Sequence, residues 1–285
     1  MLAGRPNAGK SSLLNALVGE PLAIVSPKAQ ATRLPVVGLR TDGDVQMAFH
    51  DLPGLLDPAY PLQARMRSQA LGALAAADLI VYLHPAAECP PEPLAEAAGF
   101  DRPPRAPVVL VMSKVDLVSP AKRPALPPPA GLPVSATTGE GLDRLLREVG
   151  TRLPEGPFGY PADDLGIQPL RFFVVEYLRE AAFELLSDEV PYAFTAAVEE
   201  FHEDRDPVYI RATLYVERES QKRIVIGAGG RTIKAIGQHA RQRIEHLLGR
   251  RVFLETWLKV LPKWRRSDDL LDRLGFPEAH PGDGP

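Results

Sequence analysis

The apolar positions follow two patterns that change near residue 165. In the first part, residues 79–83 and 108–112 are short unbroken apolar runs, which predict strands buried on both faces of a parallel sheet. Residues 36–41 and 45–51 are apolar runs on either side of Asp42-Gly43-Asp44, which predicts a hairpin. Residues 134–136 predict a last short strand, and 22–25 a brief extended stretch. Helices are predicted at 10–18, stopped by Gly19, at 62–77, and at 140–153, where Leu142, Leu145, Leu146 and Val149 share one side. The proline-rich stretches 86–107 and 119–133 lie between these elements, and 119–133 reads as a surface loop. The order is that of a doubly wound, mostly parallel α/β sheet, whose ligands sit at the carboxyl ends of its strands.

In the second part, Phe172, Val175, Leu178, Ala182, Leu185 and Leu186 recur at helical spacing, with Pro191 ending that element and a strand expected over 192–201. Val208, Ile210, Ala212, Leu214 and Val216 alternate with Tyr209, Arg211, Thr213, Tyr215 and Glu217, the clearest strand signal in the chain. Ile224-Val225-Ile226-Gly227-Ala228-Gly229-Gly230 follows. Residues 231–248 then form a helix with Ile233, Ile236, Ala240, Ile244 and Leu247 inward, ended by Gly249, and 251–260 alternates again. The order is helix, strand, strand, Gly-x-x-Gly, helix, strand.

Candidate chemistry starts at Gly4-Arg5-Pro6-Asn7-Ala8-Gly9-Lys10-Ser11, a G-x-x-x-x-G-K-S phosphate-binding loop. Its glycines let successive N–H groups turn inward as an anion nest, and the helix that follows aims its positive end at the same place. Lys10 is suited to reach β- and γ-phosphates, and Ser11 to offer a hydroxyl to Mg²⁺. Only Met1-Leu2-Ala3 precede the loop, fewer than the roughly five or six residues of an ordinary strand. His50-Asp51-Leu52-Pro53-Gly54 ends a predicted strand with a carboxylate placed to hold Mg²⁺ and with a turn that starts a mobile loop.

Net charge is −3, but residues 205–266 hold 15 Lys/Arg against 5 Asp/Glu. That asymmetry points one end of the chain at a polyanion. The single cysteine, Cys89, excludes an internal disulfide and fits a reducing cytoplasm. No apolar run approaches the roughly 18 residues of a membrane span, and residues 1–10 do not make a signal peptide.

The loop at 4–11, Thr32 in a polar loop over 26–33, Asp51-Leu52-Pro53-Gly54, Ser113-Lys114-Val115-Asp116 and Ser135-Ala136 stand in the order of small GTP-binding proteins of the translation-factor class, which this part of the chain resembles. The resemblance implies GTP and GDP as ligands with Mg²⁺. Nucleotide contacts fall to Gly4, Asn7, Ala8, Gly9, Lys10, Ser11, Ser12, Asp51, Gly54, Ser113, Lys114, Asp116, Ser135 and Ala136. Ser11, Thr32 and Asp51 serve the metal, and Lys10, Thr32 and the N–H of Gly54 the γ-phosphate. Asp116 accepts from guanine N1 and N2, where adenine has no matching donors. Ser113 stands where asparagine is usual, which predicts weaker guanine affinity. Leu55 stands where Ras-like enzymes carry a water-orienting glutamine, so unassisted hydrolysis is expected to be slow. Asn7 and the long loop before Thr32 resemble potassium-stimulated members, making K⁺ a candidate second cation.

Gly227-x-x-Gly230 at the head of a basic amphipathic helix resembles the clamp of a KH domain, which implies close approach of a single-stranded RNA backbone. RNA contacts are expected from Lys222, Arg223, Ile226, Gly227, Ala228, Gly229, Gly230, Arg231, Ile233, Lys234 and Arg241. Ala228-Gly229 stands where a lysine or arginine is common, which removes one phosphate contact. With Glu189-Val190-Pro191-Tyr192, Glu217-Arg218-Glu219-Ser220-Gln221-Lys222, Gly249-Arg250-Arg251-Val252 and Leu254-Glu255-Thr256-Trp257-Leu258-Lys259-Val260, almost the whole chain resembles the Era family of bacterial ribosome-assembly GTPases.

The organisation expected is a P-loop GTP-binding domain at 1–155, a linker at 156–167, a type II α+β KH domain at 168–266 and a C-terminal tail at 267–285. Small-subunit ribosomal RNA and the small subunit are the partners implied, with a monomeric, cytoplasmic protein that family members' habits would also place peripherally on the inner membrane. The alternative is an RNA-binding assembly factor without catalysis, its nucleotide site impaired by Ser113 and the short first strand.

Overall fold

A computed structural model describes residues 1–119, 121 and 131–278. Most of the proline-rich stretch at 119–133 and of 277–285 therefore lies outside the described residues.

The first domain is a six-stranded sheet in the order β2-β3-β1-β4-β5-β6. Its strands are β1 (Leu2–Ala3), β2 (Val36–Asp42), β3 (Val45–Asp51), β4 (Ile80–Pro85), β5 (Val108–Ser113) and β6 (Leu132–Pro133). All neighbours are parallel except the β2–β3 hairpin. β1 is two residues long yet central: Leu2 pairs with Asp51 on one side and Val81 on the other. Helices α1 (Lys10–Val18), α2 (Pro61–Ala75), α3 (Leu94–Ala98) and α4 (Leu142–Gly150) complete the domain. Leu13, Leu14 and Leu17 of α1 pack with Val36, Val81, Val111 and Leu145 in the main core.

Three local expectations are corrected. Residues 22–25 form no strand, because the Asn15 side chain satisfies both polar groups of Ala23, donating to its carbonyl at 2.9 Å and accepting from its N–H at 2.8 Å. The last strand is Leu132–Pro133, not 134–136. There the Ser135 N–H turns away to the Glu140 carbonyl at 2.9 Å and closes a tight turn. The hairpin turn is Gly43-Asp44, with Asp42 still paired to Val45.

The segment read as a linker is stitched to the sheet. Leu39 N–H donates to the Leu165 carbonyl at 2.9 Å, and Gln46 exchanges two hydrogen bonds with the Tyr160 backbone. It thereby covers the outer edge of β2.

The second domain comprises α5 (Leu170–Leu185), α6 (Val190–Ala193), β7 (Thr195–His202), β8 (Val208–Val216), α7 (Glu219–Ile226), α8 (Arg231–Leu248) and β9 (Val252–Val260). Its sheet runs β7-β8-β9, with β8 and β9 parallel over nine residues each. Pro191 does not end the long helix; it opens the short α6, where a missing N–H costs nothing. The strand expected from 192 starts at Thr195. Ile224-Val225-Ile226 is the last turn of α7, a helix whose start is fixed by the buried Gln221 side chain accepting from the N–H groups of Glu217 and Arg218. On α5 the buried side is broader than the spacing suggested. Phe173, Val174, Tyr177 and Phe183 are buried while Leu185 is exposed, because α5 faces both its own sheet and the first domain.

After β9, α9 (Asp268–Arg273) lies on α2, with Trp264, Leu271 and Phe276 packed against Leu62 and Met66. Residues 268–276 of the segment expected to be a tail therefore form a strap across the first domain.

Candidate functional site

The turn between β1 and α1 curls because Gly4 and Gly9 take φ of +152° and +94°. A Cβ on Gly4 would lie 2.5 Å from the Leu83 carbonyl oxygen, so only glycine fits that close approach. Gly9 starts α1 in the left-handed region, and the first N–H groups of the helix point at the hollow above.

The hollow has a volume of about 320 Å³ and is lined by Asn7, Gly9, Lys10, Ser11, Ser12, Thr32, Gly54 and Lys114, with residues 24–28 as its outer wall. Lys10 Nζ is buried and donates to the carbonyls of Gly4 and Arg5 at 3.2 and 3.1 Å. Burial lowers its pKa, an effect that Asp51 opposes. Burial raises the pKa of Asp51, against the pull of Lys10 and the hydroxyls.

Three oxygens converge beside Lys10. Ser11 Oγ donates to Asp51 Oδ2 at 2.6 Å, and the Thr32 hydroxyl lies 2.9 Å from Ser11 Oγ and 3.1 Å from the same carboxylate oxygen. The other oxygen, Asp51 Oδ1, is buried without a hydrogen-bond partner. Two hydroxyls and a carboxylate, one of whose oxygens is buried and orphaned, form a hard-donor set suited to Mg²⁺. Gly54 closes the far wall: a Cβ there would lie 2.7 Å from Pro6 N, and the neighbouring Leu55 N–H donates to the Gly4 carbonyl at 3.1 Å. Leu55 is buried in a separate cluster with Ala3 and Tyr82, so its side chain points away from the hollow.

A second hollow of about 210 Å³ continues from the first and is lined by Ser113, Lys114, Asp116, Leu117, Ala136 and Thr137. Its floor is tied to the phosphate loop, since Ser113 Oγ donates to the Ala8 carbonyl at 2.7 Å. Lys114 holds φ of +57°, and Asp116 is exposed at the rim. The N–H of Ser135 is occupied by Glu140.

In the second domain, Gly227-Ala228-Gly229-Gly230 links α7 to α8 with φ of +72°, +62° and +76° at its three glycines. Arg231 Nε donates to the Ala228 carbonyl at 3.1 Å and steadies the turn. Lys222, Arg223, Ile226, Ile233 and Lys234 surround it, half-buried or exposed. Arg241 stands further down α8, about 15 Å from Arg231 at helical rise.

The comparisons with known proteins follow this division. A family described as "50S ribosome-binding GTPase" matches residues 1–114, and the KH domain family matches residues 189–265. GTPase Era of Lactobacillus helveticus is 38% identical over 288 residues, covering 96% of this chain and 94% of that protein. The chain belongs to the GTPase Era family. Two solved family structures, each 36% identical and covering 97% of both chains, are similar throughout. One is a single-residue variant of Aquifex aeolicus Era bound to GDP·AlF4⁻ (TM-score 0.89), the other an Era in complex with MgGDPNP and nucleotides 1506–1542 of 16S ribosomal RNA (TM-score 0.90). The family fold, a P-loop GTPase domain followed by a KH domain, is therefore the fold of this chain.

Sequence reasoning missed a group of residues between the domains. Lys28, Arg33, Arg65, Glu176 and Arg179 make buried or half-buried polar contacts across that boundary or beside it. Apart from the Glu176–Arg179 pair, three residues apart on α5, no local pattern could have revealed them, because their partners lie more than a hundred residues away.

Proposed function

We propose that the chain is a slow GTP-hydrolysing switch. Its KH domain binds single-stranded RNA near the 3′ end of small-subunit ribosomal RNA in the cytoplasm and assists small-subunit assembly. The observation that carries this reading is the convergence of Ser11, Thr32 and Asp51 beside Lys10, in the same chain as a basic Gly-x-x-Gly helix pair. The family complex with 16S ribosomal RNA supports the choice of RNA.

On this reading Lys10 neutralises the β- and γ-phosphate oxygens, giving up its bonds to Gly4 and Arg5 as GTP enters. Ser11, Thr32 and Asp51 hold Mg²⁺, which supplies charge neutralisation at the transferring phosphoryl group. The Gly54 N–H faces the γ-phosphate. Asp116 reads guanine N1 and N2, Lys114 lies along the base, and the Ala136 N–H meets O6, Ser135 N–H being already engaged. Leu55 cannot orient water, so the unassisted rate falls in the range of roughly 10⁻⁴ to 10⁻² s⁻¹. K⁺ is a second cation on this reading, which rests on Asn7 and the long loop before Thr32; the Asn7 amide nitrogen donates to the Pro27 carbonyl of that loop at 3.1 Å. In the KH domain Lys222, Arg223, Arg231 and Lys234 meet the phosphates beside Gly227–Gly230, and Ile226 and Ile233 line the base groove.

The test is calorimetric titration of GDP with Mg²⁺, with ADP as control, followed by single-stranded RNA binding in the GTP-analogue and GDP states. Micromolar or tighter GDP binding without an ADP signal, and tighter RNA binding with the analogue, are expected; GTP and RNA must strengthen each other equally. RNA binding that persists without any nucleotide binding would select the non-catalytic alternative.

A further inference from the structure

The loop that carries Thr32 is gripped chiefly from outside its own domain. Within the first domain, Asn7 holds the Pro27 carbonyl and the Gln30 side chain accepts from Gln63 at 3.0 Å. The Thr32 hydroxyl meets Ser11 and Asp51 of its own domain, while the residues on either side of it are gripped from the KH domain. The carbonyl of Ala31, the residue before it, accepts from Arg179 Nη2 of α5 at 2.6 Å. Arg33, the residue after it, plunges the other way. Its guanidinium donates to the carbonyls of Phe194, Tyr192 and Pro191 at 2.8, 2.9 and 3.2 Å. Earlier in the loop, Lys28 Nζ donates to the Phe183 and Leu186 carbonyls, capping the C-terminal end of α5.

These are not surface contacts. Arg33 is 3% and Arg179 1% exposed. Arg33 lies over the rings of Phe183 and Trp264 at 5.9 and 5.6 Å, and Arg179 is paired with the buried Glu176 at 2.5 Å. A cation taken out of water and met by carbonyl oxygens holds its place only while all of those bonds are made. The backbone of residues 31–33 therefore has one position when α5 and α6 are docked. That position puts the Thr32 hydroxyl 3.1 Å from Asp51.

We propose that Arg179 and Arg33 are positioning residues for GTP hydrolysis, through which the KH domain holds Thr32 over the metal site. The inference rests on the reading of that site as a GTPase centre. It makes the KH domain part of the hydrolytic apparatus as well as its output. Thr32 serves the γ-phosphate and its metal and has no partner on GDP, so the grip should be felt by GTP alone.

The experiment uses the full chain with Mg²⁺ and measures single-turnover GTP hydrolysis together with the affinities for GDP and a non-hydrolysable GTP analogue. Arg179→Lys keeps a charge beside Glu176 but removes the planar fork that reaches Ala31. Lys28→Met removes a half-buried grip and empties no core. Loss of one charge-assisted hydrogen bond predicts about a tenfold lower rate and a similar loss of analogue affinity for Arg179→Lys, and a smaller change of the same kind for Lys28→Met. GDP affinity should stay within about twofold for both, since no GDP contact is removed. Unchanged rate and unchanged analogue-to-GDP ratio in both variants would overturn the inference, as would parallel losses for GDP and analogue. Absence of hydrolysis by the unmodified chain would overturn the parent reading, and this inference with it; hydrolysis equal in all three proteins overturns the inference alone.

Discussion

The hydroxyl of Ser113 donates to the carbonyl of Ala8 at 2.7 Å and ties the end of β5 to the phosphate loop. The base hollow and the phosphate hollow thus share one strut. The side chain expected to weaken guanine affinity also holds the two halves of the site in register. Ser113→Ala removes the strut and leaves the buried Ala8 carbonyl without that donor, a cost of about 1–3 kcal/mol. GDP affinity should fall on the order of ten- to a hundredfold by calorimetry. An unchanged Kd would show that the two hollows are aligned without it.

Gly54→Ala addresses the other wall. The added methyl would come within 2.7 to 2.9 Å of Pro6, whose backbone belongs to the phosphate loop and cannot give way. The turn after β3 must then swing out and carry the Gly54 N–H with it. Hydrolysis should drop about a hundredfold, as for loss of one preorganised transition-state donor, with GDP affinity little changed. Quenched-flow rates beside GDP titrations give the answer, and a variant with the parental rate would remove Gly54 from the chemistry.

The glycines of the KH turn should not be equivalent. Gly227 combines φ of +72° with Thr232 Oγ1 only 2.2 Å from an ideal Cβ. Gly229 has φ of +62° and open space around it. Gly227→Ala should lower RNA affinity more than about tenfold by distorting the turn, whereas Gly229→Ala costs only the left-handed strain of roughly 1–2 kcal/mol. Fluorescence anisotropy with a labelled single-stranded RNA would separate them, and equal losses would contradict the steric argument.

Arg65 fastens the C-terminal strap. Its side chain is 6% exposed and meets Asp268, Asp272 and the Phe276 carbonyl. The carboxylates themselves are largely in water, so they need no partner once the arginine is gone. Arg65→Met should cost about 1–3 kcal/mol and release α9 from α2. Hydrogen exchange at 268–276 would rise well above the parental level; unchanged protection would mean that Trp264, Leu271 and Phe276 hold the strap alone.

Much of this was legible in the sequence because its signals are local. The phosphate loop, the Gly227–Gly230 turn and the alternation over β8 each follow from residue types a few positions apart. The failures have a common cause, a backbone group claimed by a hydrogen bond that residue spacing does not announce. The Asn15 side chain replaced a strand's ladder at Ala23, and the Glu140 carbonyl drew the Ser135 N–H out of β6. The contacts of Arg33, Arg179 and Arg65 were invisible for the same reason. Arg33, met by backbone carbonyls alone, leaves no complementary charge in the sequence to find.

The parallel pairing of β8 with β9 bears on how the chain comes to be folded. The two strands face each other from Val208–Val252 to Val216–Val260, yet α7, the glycine turn and α8 lie between them in the chain. Loop closure over that span must precede the first bond of the ladder, which slows folding. During synthesis β8 waits with one edge open until β9 has left the ribosome, while the β2–β3 hairpin has long been complete. Nucleotide binding should therefore be acquired earlier in the life of each polypeptide than RNA binding.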